Sequence, residues 1–130
     1  MQVEAQAAVD PASRLTVTSF YSTPEGKSAA RRLRLKTGPD ALPVEAVFVG
    51  EFRKGDVEDW HVTPAKFLVM TSTGSYDIKV SDGSVETLGP GAIAYYEDLT
   101  GEGHRNEATA DGSVVLMKLP DDFDIDAWTA

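Results

Sequence analysis

The sequence predicts an all-β domain, and three observations carry that reading. Short runs of β-forming residues recur at roughly 8–12 residue intervals between Leu15 and Leu119. The segments between them are rich in Gly, Pro, Asp and Ser, as in Ser72-Thr73-Gly74-Ser75 and Asp82-Gly83. No stretch longer than about ten residues holds a helical period.

Taken in order, Leu15–Phe20 is the first strand candidate. Ser28–Lys36 is the best helical candidate, and its charges fit equally a strand with basic residues on one face. Val44–Arg53 reads as a longer strand in which Gly50 marks a bulge. Lys66–Thr71 runs into a hairpin turn at Ser72–Ser75, after which Tyr76, Ile78 and Val80 alternate with Asp77, Lys79 and Ser81. That alternation is the mark of a half-buried strand. Asp82-Gly83 supplies the next tight turn, and Ala92–Tyr96 and Val114–Leu119 complete the set. Residues 1–13, which contain Asp10-Pro11, read as a flexible arm or an edge element before a single domain over 14–119. The acidic segment 120–130 alternates Asp with Phe123, Ile125 and Trp128, a pattern suited to packing over the body as a lid or an edge.

At 130 residues the chain has the length of one domain, and its 42% hydrophobic and 25% charged content is that of a globular protein. It has no cysteine, so disulfides, thiol nucleophiles and Cys-ligated metals are excluded. Twelve basic against 21 acidic residues give a net charge of −9, which disfavours a phosphate backbone as partner. Five of the twelve bases fall between Lys27 and Lys36, whereas Glu97–Ala130 carries nine acids against two bases. A basic strand against an acidic C-terminus, within one chain or across a dimer, is the matching expectation. No apolar run approaches ~18 residues and no leader pattern stands out, which predicts a soluble, cytoplasmic protein without a membrane partner. Nucleophile-elbow, Walker and dinucleotide motifs are absent.

The segment Gly55–Gly74 has a distinctive frame: Gly55, five residues, His61, one residue, Thr63, three residues, Phe67, six residues, Gly74. Downstream stand Pro90-Gly91 and, thirteen residues beyond Gly91, His104, within Glu97-Asp98-Leu99-Thr100-Gly101-Glu102-Gly103-His104. These features resemble the two motifs of the cupin family, and the second resembles the EDxTGxGH segment of small single-domain cupins. The resemblance spans about residues 44–119. It implies an antiparallel double-stranded β-helix, the jelly-roll barrel, and a homodimer joined through edge strands. In the family's first motif the positions of His61 and Thr63 are usually both His, and that of Phe67 is usually Glu.

The family pattern has a plain chemical reason. Alternate residues of a strand share a face, so two histidines one residue apart can grip one ion, with a carboxylate and a distant histidine completing the set. Here Thr63 is a weak neutral ligand and Phe67 none, leaving His61 and His104, the chain's two histidines. The resemblance implies metal ligation by that pair, with Glu97, Asp98 or Glu102 supplying a carboxylate to one divalent ion (Fe, Zn, Mn or Ni). The same pair can instead work without metal as acid/base groups, or simply line a pocket. Thr63, Phe67, Met70, Tyr96, Glu97 and Met117 are the candidate contacts for a small organic molecule of aromatic or moderately apolar character. Asp98-x-Thr100-Gly101 also has turn chemistry. Three functions follow as expectations: an isomerase, cyclase or lyase acting in the barrel; a metal-dependent oxygenase with a rebuilt two-His-one-carboxylate site; and a non-catalytic ligand-binding protein.

Overall fold

A computed structural model describes residues 15–130, so the expected arm at 1–13 lies outside the described residues. The chain is all-β: β1 (Thr16–Ser22), β2 (Ser28–Arg34), β3 (Ala46–Phe52), β4 (Val57–His61), β5 (Phe67–Lys79), β6 (Val85–Leu88), β7 (Ile93–Glu97) and β8 (His104–Lys118). A 3-10 turn over Ile125–Trp128 follows. The strands form one mixed sheet in the order β2-β1-β7-β5-β8-β3, with β4 added to β8 and β6 to β5.

The segment 28–34 is a strand, because Thr23–Lys27 closes a hairpin that sets Ser28 opposite Ser22 and Arg34 opposite Thr16. The sheet is not wholly antiparallel as expected, since β1 runs parallel to β7. Gly50 is not a bulge either; β3 pairs with β8 in unbroken register from Ala46–Lys118 to Phe52–Gly112.

The expected hairpin at Ser72–Ser75 is instead the middle of one 13-residue strand. β5 keeps pairing with β8 through this stretch, with register shifts between Thr71 and Tyr76. Such shifts bend a strand without ending it. Gly74 sits there at φ 76°, and a Cβ on it would overlap the Asp111 carbonyl, so the turn-like composition marks a bend against a neighbouring backbone.

The β5–β8 pair is therefore a bent spine. β7 joins the first half of β5 and β6 the second, while β3 joins one end of β8 and β4 the other. Two apolar clusters form on opposite sides of it. One contains Phe20, Val69, Tyr76, Ile78, Ala94 and Tyr96. The other contains Val17, Leu35, Leu68, Tyr95, Leu119 and Phe123, with Ile125. Burying each such large side chain is worth about 1.5–3 kcal/mol.

The C-terminal segment belongs to the second cluster. Phe123 stacks on Trp128 and tilts onto Tyr95, and Lys66 Nζ donates to the Phe123 carbonyl at 2.6 Å. The tail then extends the β2 edge: the Ala130 amide donates to the Arg34 carbonyl, and the Lys36 amide to that of Trp128. Arg31 lies 3.8 Å from Asp126 and Lys36 over the Trp128 ring. The basic strand and acidic tail thus meet within one chain. At the other end of the sheet, β3 leaves Val47, Phe48 and Val49 exposed.

Candidate functional site

The concave side of the bent spine encloses a half-open cavity of about 320 Å³. Strand alternation decides what enters it. From β5 come Phe67, Val69 and Tyr76, from β7 Tyr96, and from β8 Val114 and Leu116, all lining the cavity. One residue along, Leu68 and Tyr95 point into the tail-covered cluster.

His61 ends β4 and His104 begins β8, and the two are register partners. Their ring centroids lie 4.5 Å apart at the cavity wall. Gly103 makes this approach feasible. It sits at φ 71°, and a Cβ there would overlap the His61 carbonyl oxygen.

His104 is buried, and its Nδ1 lies 2.5 Å from Oδ2 of the fully buried Asp98. A carboxylate accepts, so Nδ1 carries the proton and Nε2 the lone pair. His61 is fixed the same way, since its Nδ1 lies 2.7 Å from the Asp59 carbonyl oxygen, which can only accept. In its neutral form each imidazole therefore keeps Nε2 as the free base. Asp98 continues the inward parity of Ala94 and Tyr96 on β7, and its Oδ1 is buried with no partner among the described residues.

Two aromatic rings frame the dyad: the Tyr96 centroid lies 4.9 Å from that of His104, and the Phe20 centroid 6.2 Å away. Burial holds the Tyr96 phenol well above its usual range, the neighbouring Tyr76 phenol adding to this; Tyr76 is raised too, chiefly by burial. Both stay protonated donors across the physiological range.

Of the residues expected in the site, His61, His104, Thr63, Phe67 and Tyr96 come together in the cavity. Thr63 spends its hydroxyl proton on the Ala65 carbonyl at 2.6 Å. Asp98 is present, but behind His104 rather than beside it. Met70 is partly exposed, and Met117 packs against the tail-side cluster. Glu97 faces the tail side, where burial raises its carboxyl pKa despite Arg31 and Lys66 nearby. Glu102 is on the surface, paired with Lys27 at 2.8 Å.

Several lining residues escaped the sequence reading, among them Glu58, Asn106 and Tyr76. Glu58 Oε2 lies 3.7 Å from His61 Nε2, although strict alternation would put residues three apart on opposite faces. A register shift between Glu58 and His61 brings them to one side. Asn106 and Tyr76 also line the cavity. Asn106 was readable, because it shares the parity of His104 on β8.

Of the four ligand positions that the cupin resemblance implies, His61 and His104 are present, and Thr63 and Phe67 stand at the other two. Among the described residues no group of three or more His, Asp or Glu is disposed to hold a metal. The Thr63 hydroxyl donates to the Ala65 carbonyl, Asp98 Oδ2 is bonded to His104, and Phe67 offers no ligand atom.

What the fold and site define is a class: an all-β protein with an apolar, half-open cavity and a buried aspartate–histidine pair in its wall. No protein-family model matches the chain, and no curated protein matches it. Among solved structures, FixK2 from Bradyrhizobium japonicum is similar at 24% identity over 56% of this chain, with a TM-score of 0.43. The match spans only 39% of FixK2. NMB1881 from Neisseria meningitidis matches at 15% identity over 90% of this chain and 94% of its own, TM-score 0.48. SPY1581 from Streptococcus pyogenes, described as of unknown function, matches at 13% identity over 83% and 77%, TM-score 0.48. These likenesses are loose, so the chemistry has to come from the site itself.

Proposed function

We propose that the protein is a small-molecule enzyme working by proton transfer in the cavity, with His104 as the base. The Asp98–His104 pair carries this reading. A buried carboxylate on Nδ1 fixes the tautomer, aims the ring and stabilises the imidazolium once the proton arrives. The fold is read as an open member of the cupin jelly-roll group. Its support is that the two motif histidines, far apart in sequence, face each other across β4 and β8.

The step is simple. His104 Nε2 takes a proton from carbon next to a substrate carbonyl, and the electron pair moves onto the carbonyl oxygen as an enolate. A protonated phenol, that of Tyr96, can donate to that oxygen. Returning the proton at a neighbouring carbon is isomerisation; expelling a β-substituent instead is a lyase reaction; attack on an internal electrophile is cyclisation. The apolar walls, Phe67, Val69 and Leu116, suit an aryl or comparably flat skeleton.

The test is deuterium incorporation at the methylene of 2-hydroxyacetophenone in D2O, followed by proton NMR. Exchange well above the buffer rate, falling about 100-fold or more in His104→Gln, is the expected result. Equal rates in wild type and His104→Gln, or no exchange over buffer, overturn the proposal. A second reading, a non-catalytic binding protein, draws on the mostly apolar lining, and undiminished ligand affinity in a protein with both histidines changed to alanine favours it.

A further inference from the structure

The polar side chains of the cavity share a property that the acid/base reading does not use. Each histidine has its Nδ1 proton committed, to Asp98 or to the Asp59 carbonyl, and in its neutral form presents a lone pair on Nε2, that of His61 3.7 Å from Glu58 Oε2. Thr63 has committed its hydroxyl proton to the Ala65 carbonyl. Asn106 donates Nδ2–H to Glu58 Oε1 at 3.3 Å, an orientation required because a carboxylate cannot donate. Its Oδ1 is left buried with no partner among the described residues. Glu58 and Asp56 add carboxylates at the rim, and among the described lining residues there is neither Lys nor Arg. Apart from the Tyr76–Tyr96 phenols, the polar lining is thus a stripe of acceptors over an apolar floor.

An acceptor stripe is matched by N–H or O–H groups. A carboxylate or phosphate brought against it would meet lone pairs and two like charges without a cation, in a protein already at −9. We infer that the cavity selects a flat, uncharged or cationic molecule whose polar edge donates hydrogen bonds, and that it turns anions away. A hydroxyl- or amino-bearing aromatic is the ligand class that fits. The inference rests on reading this cavity as the substrate site, but not on turnover there.

Four small probes separate the terms: phenol, benzylamine, anisole and benzoate, titrated against the full chain at pH 7.5 by ligand-observed NMR. Phenol and benzylamine are expected to bind about tenfold more tightly than anisole and benzoate, the worth of roughly one hydrogen bond. In Asn106→Ala, checked for an unchanged melting profile, the gap between phenol and anisole narrows. In Glu58→Lys the penalty on benzoate shrinks. Benzoate binding as tightly as phenol, anisole matching phenol, or no probe binding at all overturns the inference. The affinity order is read without any reaction, so a failed deuterium exchange leaves it standing, and a wrong order leaves exchange by His104 standing.

Discussion

The two sides of the bent sheet are built from the same strands, one residue out of step, and they have opposite fates. On β7 Tyr96 lines the cavity and Asp98, just past the strand, backs His104, while Tyr95 and Glu97 face the tail. On β5, Phe67 and Val69 line open space, while Leu68 is sealed under Leu119 and Phe123. The sealed side has a cover supplied by the chain, and its aromatic residues pack on one another. On the cavity side aromatic walls surround a polar pair with committed protons. The difference teaches that the chain seals one face completely with its own tail, while the other keeps a half-open cavity beside its buried cluster.

Truncating an aromatic residue on each side measures that division. Phe123→Ala is expected to cost about 3–5 kcal/mol, because a buried ring is lost from a site whose neighbours cannot fully collapse. Phe67→Ala is expected to cost about 1–2 kcal/mol, since the space it vacates joins a cavity that water already reaches. Urea unfolding of both variants reads the contrast. Equal losses would mean that the cavity side is as much a stabilising core as the other.

The next effect in size concerns the buried pair. Asp98→Ala leaves His104 Nδ1–H without its acceptor in a buried setting, at an expected cost of about 1–3 kcal/mol. Nitrogen-15 NMR of the neutral imidazoles should show both histidines as Nδ1–H tautomers in the wild type. In the variant His104 alone should drift towards the Nε2–H form, while His61, held by the Asp59 carbonyl, does not. An unchanged His104 tautomer would mean that something other than Asp98 sets it, and the acceptor stripe would lose its strongest member.

Much of this division was legible in the sequence, and what was not has physical causes. Period-two alternation gave the buried Tyr76, Ile78 and Val80 at and after the second half of β5, whereas on β7 and the first half of β5 the expected contacts mixed the two faces, Tyr96 with Glu97 and Phe67 with Met70. The two motifs brought His61 and His104 to one place. The C-terminal Asp–apolar alternation foretold the tail's packing. The hairpin at Ser72–Ser75 failed because a glycine required by a close backbone approach has the same composition as a glycine required by a turn. Glu58 was hidden by the register shift, which breaks the alternation that sequence reading relies on. The role of Asp98 was obscured because turn chemistry and support of a histidine ask for the same carboxylate. Only the side-chain geometry separates them.

The smallest effect tests the sealed side electrostatically. Glu97 is half-buried there, its pKa raised chiefly by burial and further by Asp126 and Asp124, with Arg31 and Lys66 pulling the other way. A raised carboxyl pKa means that the folded chain holds the proton more tightly than the unfolded one. Its favourable share of stability is therefore complete below the unfolded value of about 4.3 and is lost as pH rises through the folded value. At neutral pH the ionised Glu97 costs stability, so Glu97→Gln should be the more stable protein at pH 7. Solvent screening of a half-exposed group keeps the gain to about 0.5 kcal/mol or less. The advantage should vanish below about pH 4, where Glu97 is protonated in both states. Paired urea titrations at pH 7 and pH 3.5 measure it directly. A loss of stability at pH 7 would show instead that attraction to Arg31 and Lys66 outweighs burial. The tail would then be clamped onto the sheet by charge as well as by Phe123 and Ile125.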